Sequence, residues 1–364
     1  MKRISSLFIL MASAAALISC GGTNDQRTAN NTGKTAVNSE VPMAAKAVGT
    51  VYTADEKANS VSVINLSDNS VTSVPVTISP HNVQISNDGK LLLAVGAPVA
   101  AGGHENHGDH GAMGGASKGK LLVFQAADLA AGPTAEIEVG AHPAHVVIDK
   151  AGQFAYVANS GDDNVSVIDV NEKRVVQTIA TGDFPHGLRI SPDGKELYVA
   201  DLNEGTVSVI DLEARKEAAK IPVGKSPVQV GFTPDGKHVY VSLRDENSVA
   251  VIDTAARKRM ATITVGDQPV QVFASQDGKF VFVANQGTAE APANTVSVID
   301  TASNTVSKTI TVGKGAHGVV LSEKFVYVSD SVDDTVSVID ISTMAVTATI
   351  KVGAGPNGIT LRLS

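Results

Sequence analysis

The sequence predicts an all-β fold in which seven similar four-stranded sheets close into a ring, that is, a seven-bladed β-propeller. The main observation is an apolar segment, Val-Ser-Val-Ile-Asp or a close variant, that recurs seven times at spacings of 40 to 60 residues. Val, Ile and Thr dominate these repeats, while Gly and Pro punctuate them, which favours strands over helices. The copies start at Val61, Leu121, Val165, Val207, Val249, Val296 and Val336.

The clearest repeat contains four short apolar segments, which we name strands a to d in chain order. They are His186–Ser191, Glu196–Asp201, Thr206–Asp211 and Glu217–Val223. A Ser-Pro-Asp-Gly turn joins strand a to strand b, because proline fixes φ and glycine accepts a positive φ. Alternating β-branched residues give each strand one buried face.

The first blade does not begin with a strand a, so the a-to-d order of the strands is offset along the chain. The first blade begins at a strand b, Thr50–Thr53, and the chain ends on a strand a, Pro356–Leu363. We therefore expect the last strand to complete the first blade, which hides both edges of the array. The predicted propeller spans residues 47–364.

The first 46 residues are not expected to belong to the ring. Lys2 and Arg3 precede an apolar run, Leu7–Leu17, which is typical of a secretory signal peptide over residues 1–19. The segment ending at Cys20 resembles a bacterial lipoprotein signal, and this resemblance implies lipidation of Cys20. The alternative is an ordinary signal peptide with an incidental cysteine. Residues 20–46 are expected to form a flexible tether.

These features predict an exported protein that is lipid-anchored to the cell envelope, at the outer membrane facing the periplasm if the host has two membranes. Without Lys2 and Arg3 the formal charge changes from −8 to −10, and the chain has no Trp. An acidic, aromatic-poor surface argues against nucleic acid as a partner. Because Cys20 is the one cysteine, no disulfide or thiolate metal site is expected. We also expect the protein to be a monomer.

Strand b carries a resemblance to a known family. Three of these strands read LYVAD, AYVAN and VYVSD, at Leu197–Asp201, Ala155–Asn159 and Val326–Asp330, and a Val-Ser-Val-Ile-Asp segment follows each. They resemble the YVTN family of β-propeller repeats, over about residues 50–364. The resemblance implies the propeller fold strongly and function weakly, since that family includes surface-layer and envelope proteins of many roles.

Strand a begins at the mouth of the central channel. A Pro or Ala, which we call the junction residue, marks the point where the chain enters this strand from the preceding strand d. The residue after it is histidine in three repeats, as His81, His186 and His317. We interpret these three as candidate metal ligands. Asn357 occupies the same position in the last repeat, and His145 falls one position later in the third repeat; both are candidate ligand-binding residues. The alternative is that His81, His186 and His317 are hydrogen-bonded rim residues inherited by duplication of one blade.

A His-rich insertion at residues 97–118 interrupts the second repeat between strands b and c. It contains His104, His107, His110 and Met113, spaced by three residues in a Gly-rich segment. Imidazole with a thioether favours copper, and zinc or nickel would also fit imidazole. The insertion belongs to the face that carries the channel histidines, so it could join their site. A solvated low-complexity insertion is the alternative.

Two acidic residues, Asp201 and Asp330, end strand b beside the same rim. They either bind ligand or cap the loops between strands b and c. The mouth histidines are also similar to those of the nitrous-oxide reductase propeller, in which imidazoles on this face hold a multicopper cluster. This similarity is limited to the architecture and His81, His186 and His317. It does not extend to catalysis, because no cysteine is available for an electron-entry copper.

The sequence is compatible with three functions. The favoured one is a non-enzymatic protein that binds copper or zinc, a small ligand or an envelope protein on its His-bearing face. The second is an enzyme, either a copper oxidoreductase or a lactonase-like hydrolase. The third is an interaction scaffold with no small ligand. No Ser-His-Asp motif or phosphate-binding loop favours the enzyme.

Overall fold

The computed structural model describes residues 48–99 and 117–363. Within these ranges the chain forms seven four-stranded antiparallel sheets and two short 3-10 helices, Leu129–Ala131 and Arg244–Glu246. This arrangement confirms the predicted seven-bladed β-propeller. None of the helices in the described ranges is long and apolar enough to cross a membrane.

Some of the predictions concern residues outside the described ranges. They are the signal peptide, the lipidation of Cys20, the tether, and the metal-binding loop residues His104, His107, His110 and Met113.

The strands, numbered β1 to β28 in chain order, occupy four positions from the channel outward. The innermost strands are β4 (Ile78–Ile85), β8 (Pro143–Ile148), β12 (Pro185–Ile190), β16 (Pro227–Phe232), β20 (Pro269–Ala274), β24 (Ala316–Leu321) and β28 (Pro356–Leu363). The second strands are β1 (Gly49–Asp55), β5 (Leu91–Pro98), β9 (Phe154–Asn159), β13 (Glu196–Asp201), β17 (His238–Leu243), β21 (Phe280–Gly287) and β25 (Phe325–Asp330).

The two outer positions complete each blade. The third strands are β2 (Ser60–Asn65), β6 (Lys118–Gln125), β10 (Asn164–Asp169), β14 (Thr206–Asp211), β18 (Ser248–Asp253), β22 (Pro292–Asp300) and β26 (Thr335–Asp340). The outermost strands are β3 (Ser70–Pro75), β7 (Ala135–Ala141), β11 (Arg174–Ala180), β15 (Lys216–Pro222), β19 (Lys258–Thr264), β23 (Thr305–Thr311) and β27 (Ala345–Lys351).

The last strand closes the ring, as the sequence predicts. Strand β28 pairs with β1 along its length, with Thr50 opposite Arg362 and Thr53 opposite Ile359. The first blade is therefore β28-β1-β2-β3, and β28 contacts both β24 and β4, its neighbours around the channel. No innermost strand is left without a neighbour on either side.

The Val-Ser-Val-Ile-Asp repeat explains how the fourth blade is held together. In β14, Val207, Val209 and Ile210 are fully buried between blades. Ser208 donates a hydrogen bond of 2.8 Å to Oδ2 of a carboxylate at the end of β13. The motif's last residue, Asp211, accepts the backbone N–H groups of the turn that follows. Each residue of the motif thus has its own packing or hydrogen-bonding role.

A β-bulge lies near the start of every innermost strand. In β12, Pro185 pairs with Asp201 and Leu188 with Val199, so two residues of β12 lie opposite one residue of β13. The other innermost strands have a comparable break in register at the same place. A bulge re-aims side chains locally. We call the two residues after each junction Pro or Ala the mouth positions.

Closure of the first blade depends on apolar side chains of β28. Ile359 is buried against the cluster shared by the first and seventh blades, whereas Leu363 in the same strand is 53% exposed. We expect Ile359→Ala to lower the free energy of unfolding by about 2–4 kcal/mol, because it leaves a cavity in that cluster. Leu363→Ala is the matched control and should cost less than about 0.5 kcal/mol. Urea unfolding measures both, and equal losses would contradict the assigned closure.

Candidate metal centre at the channel mouth

The mouth positions supply one long polar side chain from every blade. In each blade it stands at the first or the second of the two positions, and in all but the second blade the other position holds a small or apolar residue. The second blade adds Asn82 beside its histidine. Apart from His81, which is partly exposed, these side chains are buried. The set is Asn357, His81, His145, His186, Gln229, Gln271 and His317.

Three of the four histidines converge. The ring centroids of His145 and His186 are 5.0 Å apart, and that of His81 lies 5.7 Å from the first and 5.4 Å from the second. One nitrogen from each ring can be chosen so that all three lie within 4.8 Å of one another. The rings come from three consecutive blades and meet at the channel mouth.

A backbone carbonyl orients the ring of His186. Its Nδ1 lies 3.2 Å from the carbonyl oxygen of Val228 in the next blade. A carbonyl oxygen can only accept, so Nδ1 carries the proton and the lone pair of the neutral ring is on Nε2. Metal-binding histidines are commonly held in this way, with the second nitrogen donating to a carbonyl or carboxylate.

A carboxylate orients the ring of His81. Nδ1 of His81 lies 3.3 Å from Oε1 of Glu56, and Nδ2 of Asn357 donates to Oε2 of the same carboxylate at 2.8 Å. Burial raises the pKa of Glu56, but the charges of His81 and His317 and the hydrogen bonds from His81 and Asn357 outweigh it and lower that pKa to about 2. Glu56 is therefore ionised at neutral pH. Nε2 of His81 has no hydrogen-bond partner among the described residues.

His145 is a neutral, buried imidazole. It is 1% exposed. Burial, together with the positive charges of His81, Arg189 and His317, lowers its pKa well below the usual value. Nδ1 of His145 faces the Gln229 amide at 3.4 Å, and its Nε2 has no partner within the described ranges. A neutral ring is the form in which histidine binds metal ions.

The donor set fits a transition-metal ion. A tetrahedral ion with bonds of about 2.0–2.1 Å to nitrogen needs its ligand atoms about 3.3 Å apart. The observed nitrogen separations are within 4.8 Å, so the three nitrogens would have to move closer together to hold such an ion. Imidazoles beside a carboxylate, without thiolate, suit copper or zinc better than calcium or magnesium, which prefer oxygen ligands.

The other predicted site residues lie around this centre. The His317 ring is 6.4 Å from that of His81, so it borders the three nitrogens without joining them. Asp201 and Asp330 are fully buried at the ends of β13 and β25, where each accepts hydrogen bonds from a Ser and a Thr of the third strand. Their contacts are those of residues that hold the blade and its loop together. A ligand-binding role for them stays a prediction.

In the sequence, His145 lies one position later in its strand than the other mouth histidines lie in theirs. The bulge brings both mouth positions to the channel, so His145 and His186 meet although they differ by one position. The signal for this was present, because a polar residue alternates between the two positions from blade to blade. No such signal marks Glu56, which follows β1 in the first blade and reaches His81 in the neighbouring second blade.

The buried carboxylate of Asp201 makes stability depend on pH. Burial raises its pKa to about 6, against the hydrogen bonds of Ser208 and Thr206, which lower it. Between about pH 4 and pH 6 the folded state then holds a proton that the unfolded state has lost, so stability falls as pH rises through this window. Asn159 takes the same place in the third blade and binds the same kinds of groups.

We therefore expect Asp201→Asn to keep the fold and to flatten this pH dependence, with a gain on the order of 2 kcal/mol at pH 7.5 relative to the unsubstituted protein. Denaturant unfolding at pH 4.5 and pH 7.5 measures it. Asn159→Asp is the matched reverse substitution and should introduce the same loss at high pH. A gain of equal size at both pH values would contradict a raised pKa.

Comparison with family models gives two matches. A model described as lactonase, seven-bladed β-propeller, matches residues 115–223, and a YNCE-like β-propeller model matches residues 233–325. Each covers less than half of the chain, and they agree on the propeller. No curated protein matches the chain. The more specific resemblances to YVTN repeats and to nitrous-oxide reductase stay predictions.

Solved structures show the same fold at low identity. Hydrazine synthase from Kuenenia stuttgartiensis is 21% identical with a TM-score of 0.64, and the match covers 78% of this chain and 95% of that chain. A functionally unknown protein from Desulfotomaculum acetoxidans DSM 771 is 16% identical with a TM-score of 0.68, covering 86% and 99%.

A Bacteroides uniformis ATCC 8492 protein, assigned provisionally as a 6-phosphogluconolactonase, is 15% identical with a TM-score of 0.67, covering 86% of this chain and 99% of that chain. At these identities the likeness concerns the fold alone. The chain is thus a seven-bladed β-propeller, parts of which match lactonase-type and YNCE-like propeller models.

Proposed function

We propose that the protein is a metal-binding propeller of the cell envelope, which holds one copper or zinc ion at the channel mouth through His81, His145 and His186. The observation that supports this is the convergence of three imidazoles from three blades, with nitrogens within 4.8 Å of one another. In this proposal the protein binds the ion and is not an enzyme.

The energetics of the mouth favour a bound ion. A buried polar atom without a partner costs about 1–3 kcal/mol. Nε2 of His81 and Nε2 of His145 are two such atoms among the described residues. A metal ion would satisfy both nitrogens together, and the ionised Glu56 would balance part of its charge.

The His-rich insertion would deliver the ion. It leaves the second blade after β5, where Gly96 pairs with Pro80, the residue before His81. The insertion therefore starts beside the mouth. We propose that His104, His107, His110 and Met113 capture the metal and that His81, His145 and His186 retain it. A lipid on Cys20 would keep this activity at the envelope membrane, where an envelope protein could exchange the metal with it.

Metal titration tests the retained site. A variant with His104, His107 and His110 replaced by Ala should still bind one Cu(II) or Zn(II), because the mouth is intact. Adding His145→Ala should weaken that binding at least about 100-fold, since one of three ligands is lost. Isothermal calorimetry with metal-free protein measures both. His238→Ala, at the start of β17 and outside the mouth, is the matched control and should have no effect.

Two results would overturn this assignment. One is a loop-substituted protein that binds no metal, which would confine any metal site to the insertion. The other is an affinity that stays unchanged after His145→Ala, which would move the site away from the mouth.

A lactonase-like hydrolase is the second candidate function. One observation favours it, since the lactonase model matches residues 115–223, which contain His145 and His186. A hydrolase would use one of these imidazoles, or a metal-bound water, as its base. Under the binding function, metal-free and metal-loaded protein should both hydrolyse aldonolactones no faster than buffer does. Turnover that His186→Ala abolishes would establish the hydrolase instead.

A further inference from the structure

Arg189 crosses the channel below the mouth. It lies three residues beyond His186 in β12, and its guanidinium carbon is 5.6 Å from the ring centre of Phe273 in β20. These strands belong to the fourth and sixth blades, so the side chain passes the fifth blade. Gly231 stands at the corresponding position of β16 and places no side chain in the way. The guanidinium is therefore in the channel rather than between two blades.

No group in the described part of the chain neutralises this guanidinium. Arg174, Arg244 and Arg257 each form an ion pair with a carboxylate, whereas no carboxylate or other acceptor of the described ranges lies within hydrogen-bonding distance of Arg189. Arg189 is only partly exposed, and burial lowers its pKa to about 10. It therefore remains charged at neutral pH. A charge with reduced hydration and no partner is costly, and an anion would remove that cost.

The surrounding side chains indicate which anion fits. Arg189 is the fourth residue after its junction residue, Pro185. The fourth residue after the junction residue of each other innermost strand lies at the same level of the channel, and none of these residues is charged. Two of the polar groups at this level already have backbone partners: Nε2 of Gln84 donates to the carbonyl of Ile85, and Oγ1 of Thr360 accepts from the amide of Ile85. The residues of this level are Gln84, Val147, Gly231, Phe273, Val320 and Thr360.

We propose that the channel binds a small organic carboxylate, with its carboxylate on Arg189 and its apolar part against the partly exposed ring of Phe273. The guanidinium fork matches a carboxylate with two parallel hydrogen bonds. Phosphate would need more donors than this level offers, and its surroundings are largely apolar. The other end of the ligand would face the imidazoles of the mouth, because Arg189 lies three residues beyond His186 in the same innermost strand. This site does not require a bound metal.

Calorimetry with the full chain, dialysed free of metal, tests the inference using acetate, butyrate and inorganic phosphate. We expect saturable binding of one carboxylate per chain, with butyrate bound more tightly than acetate and phosphate more weakly than both. Arg189→Gln should weaken butyrate binding at least about tenfold, and Arg189→Lys should give an intermediate loss, because lysine keeps the charge without the fork. Butyrate should also raise the melting temperature of the unsubstituted protein and not that of Arg189→Gln.

Arg215→Gln is the matched control. Arg215 also stacks on a phenylalanine, with 4.4 Å between its guanidinium carbon and the Phe154 ring centre, but it lies outside the channel, between β14 and β15. Its substitution should leave butyrate binding unchanged. The proposal fails if no carboxylate binds saturably, if Arg189→Gln binds butyrate as well as the unsubstituted protein, or if phosphate binds most tightly. Metal affinity measured on Arg189→Gln should be retained, which separates this site from the imidazole centre.

Discussion

The hydrogen-bonded pairing of β1 with β28 is the constraint on which the rest of the propeller depends. It makes one blade from two distant parts of the chain, so each innermost strand has a neighbour on both sides. That arrangement sets the radius of the channel, and the radius sets how closely side chains from different blades approach. It also brings Asn357, near the end of the chain, to Glu56, near its first strand. The contact of Asn357 with Glu56 and His81 is therefore a direct product of closure.

Within this ring, small departures from regular geometry create the chemistry. A regular strand would send successive side chains to opposite faces, and the bulge relaxes that alternation just where the strands reach the mouth. Groups of the backbone and of neighbouring blades then orient the rings, as the carbonyl of Val228 does for His186 and Glu56 does for His81. Propellers with nearly identical blades can in this way carry quite different sites. The fold alone, which is what the similar structures share, does not determine the function.

The sequence predicted the fold well because the fold is repetitive. The seven copies of one motif, the turns between strands and the offset of the first and last strands all follow from local patterns. His81, His186 and His317 were found in the same way, as a column of equivalent positions. His145 lies one position outside that column. The shift of the polar residue between the two mouth positions from blade to blade indicates its place, but the bulge that explains the shift is seen only in the structure.

Other site residues depend on contacts between distant blades. The amide of Asn357 sits beside His81 through ring closure, and Arg189 meets Phe273 across the fifth blade. The repeat period aligns Arg189 with Phe273 as equivalent positions of two blades, but it does not show that their side chains approach each other. The contributions of Cys20 and of the His-rich insertion concern residues outside the described ranges, so they rest on the sequence alone.

The placement of β1 has a mechanical consequence. Val48 leads directly into a strand that is flanked on one side by β28 and on the other by β2. Tension applied to the chain before Val48 would load both ladders in shear, along the strands, instead of peeling an edge strand one bond at a time. Many hydrogen bonds would then have to break together. A propeller that enters its ring through an interior strand is suited to being held by its N-terminal side while a load acts on the rest of the molecule.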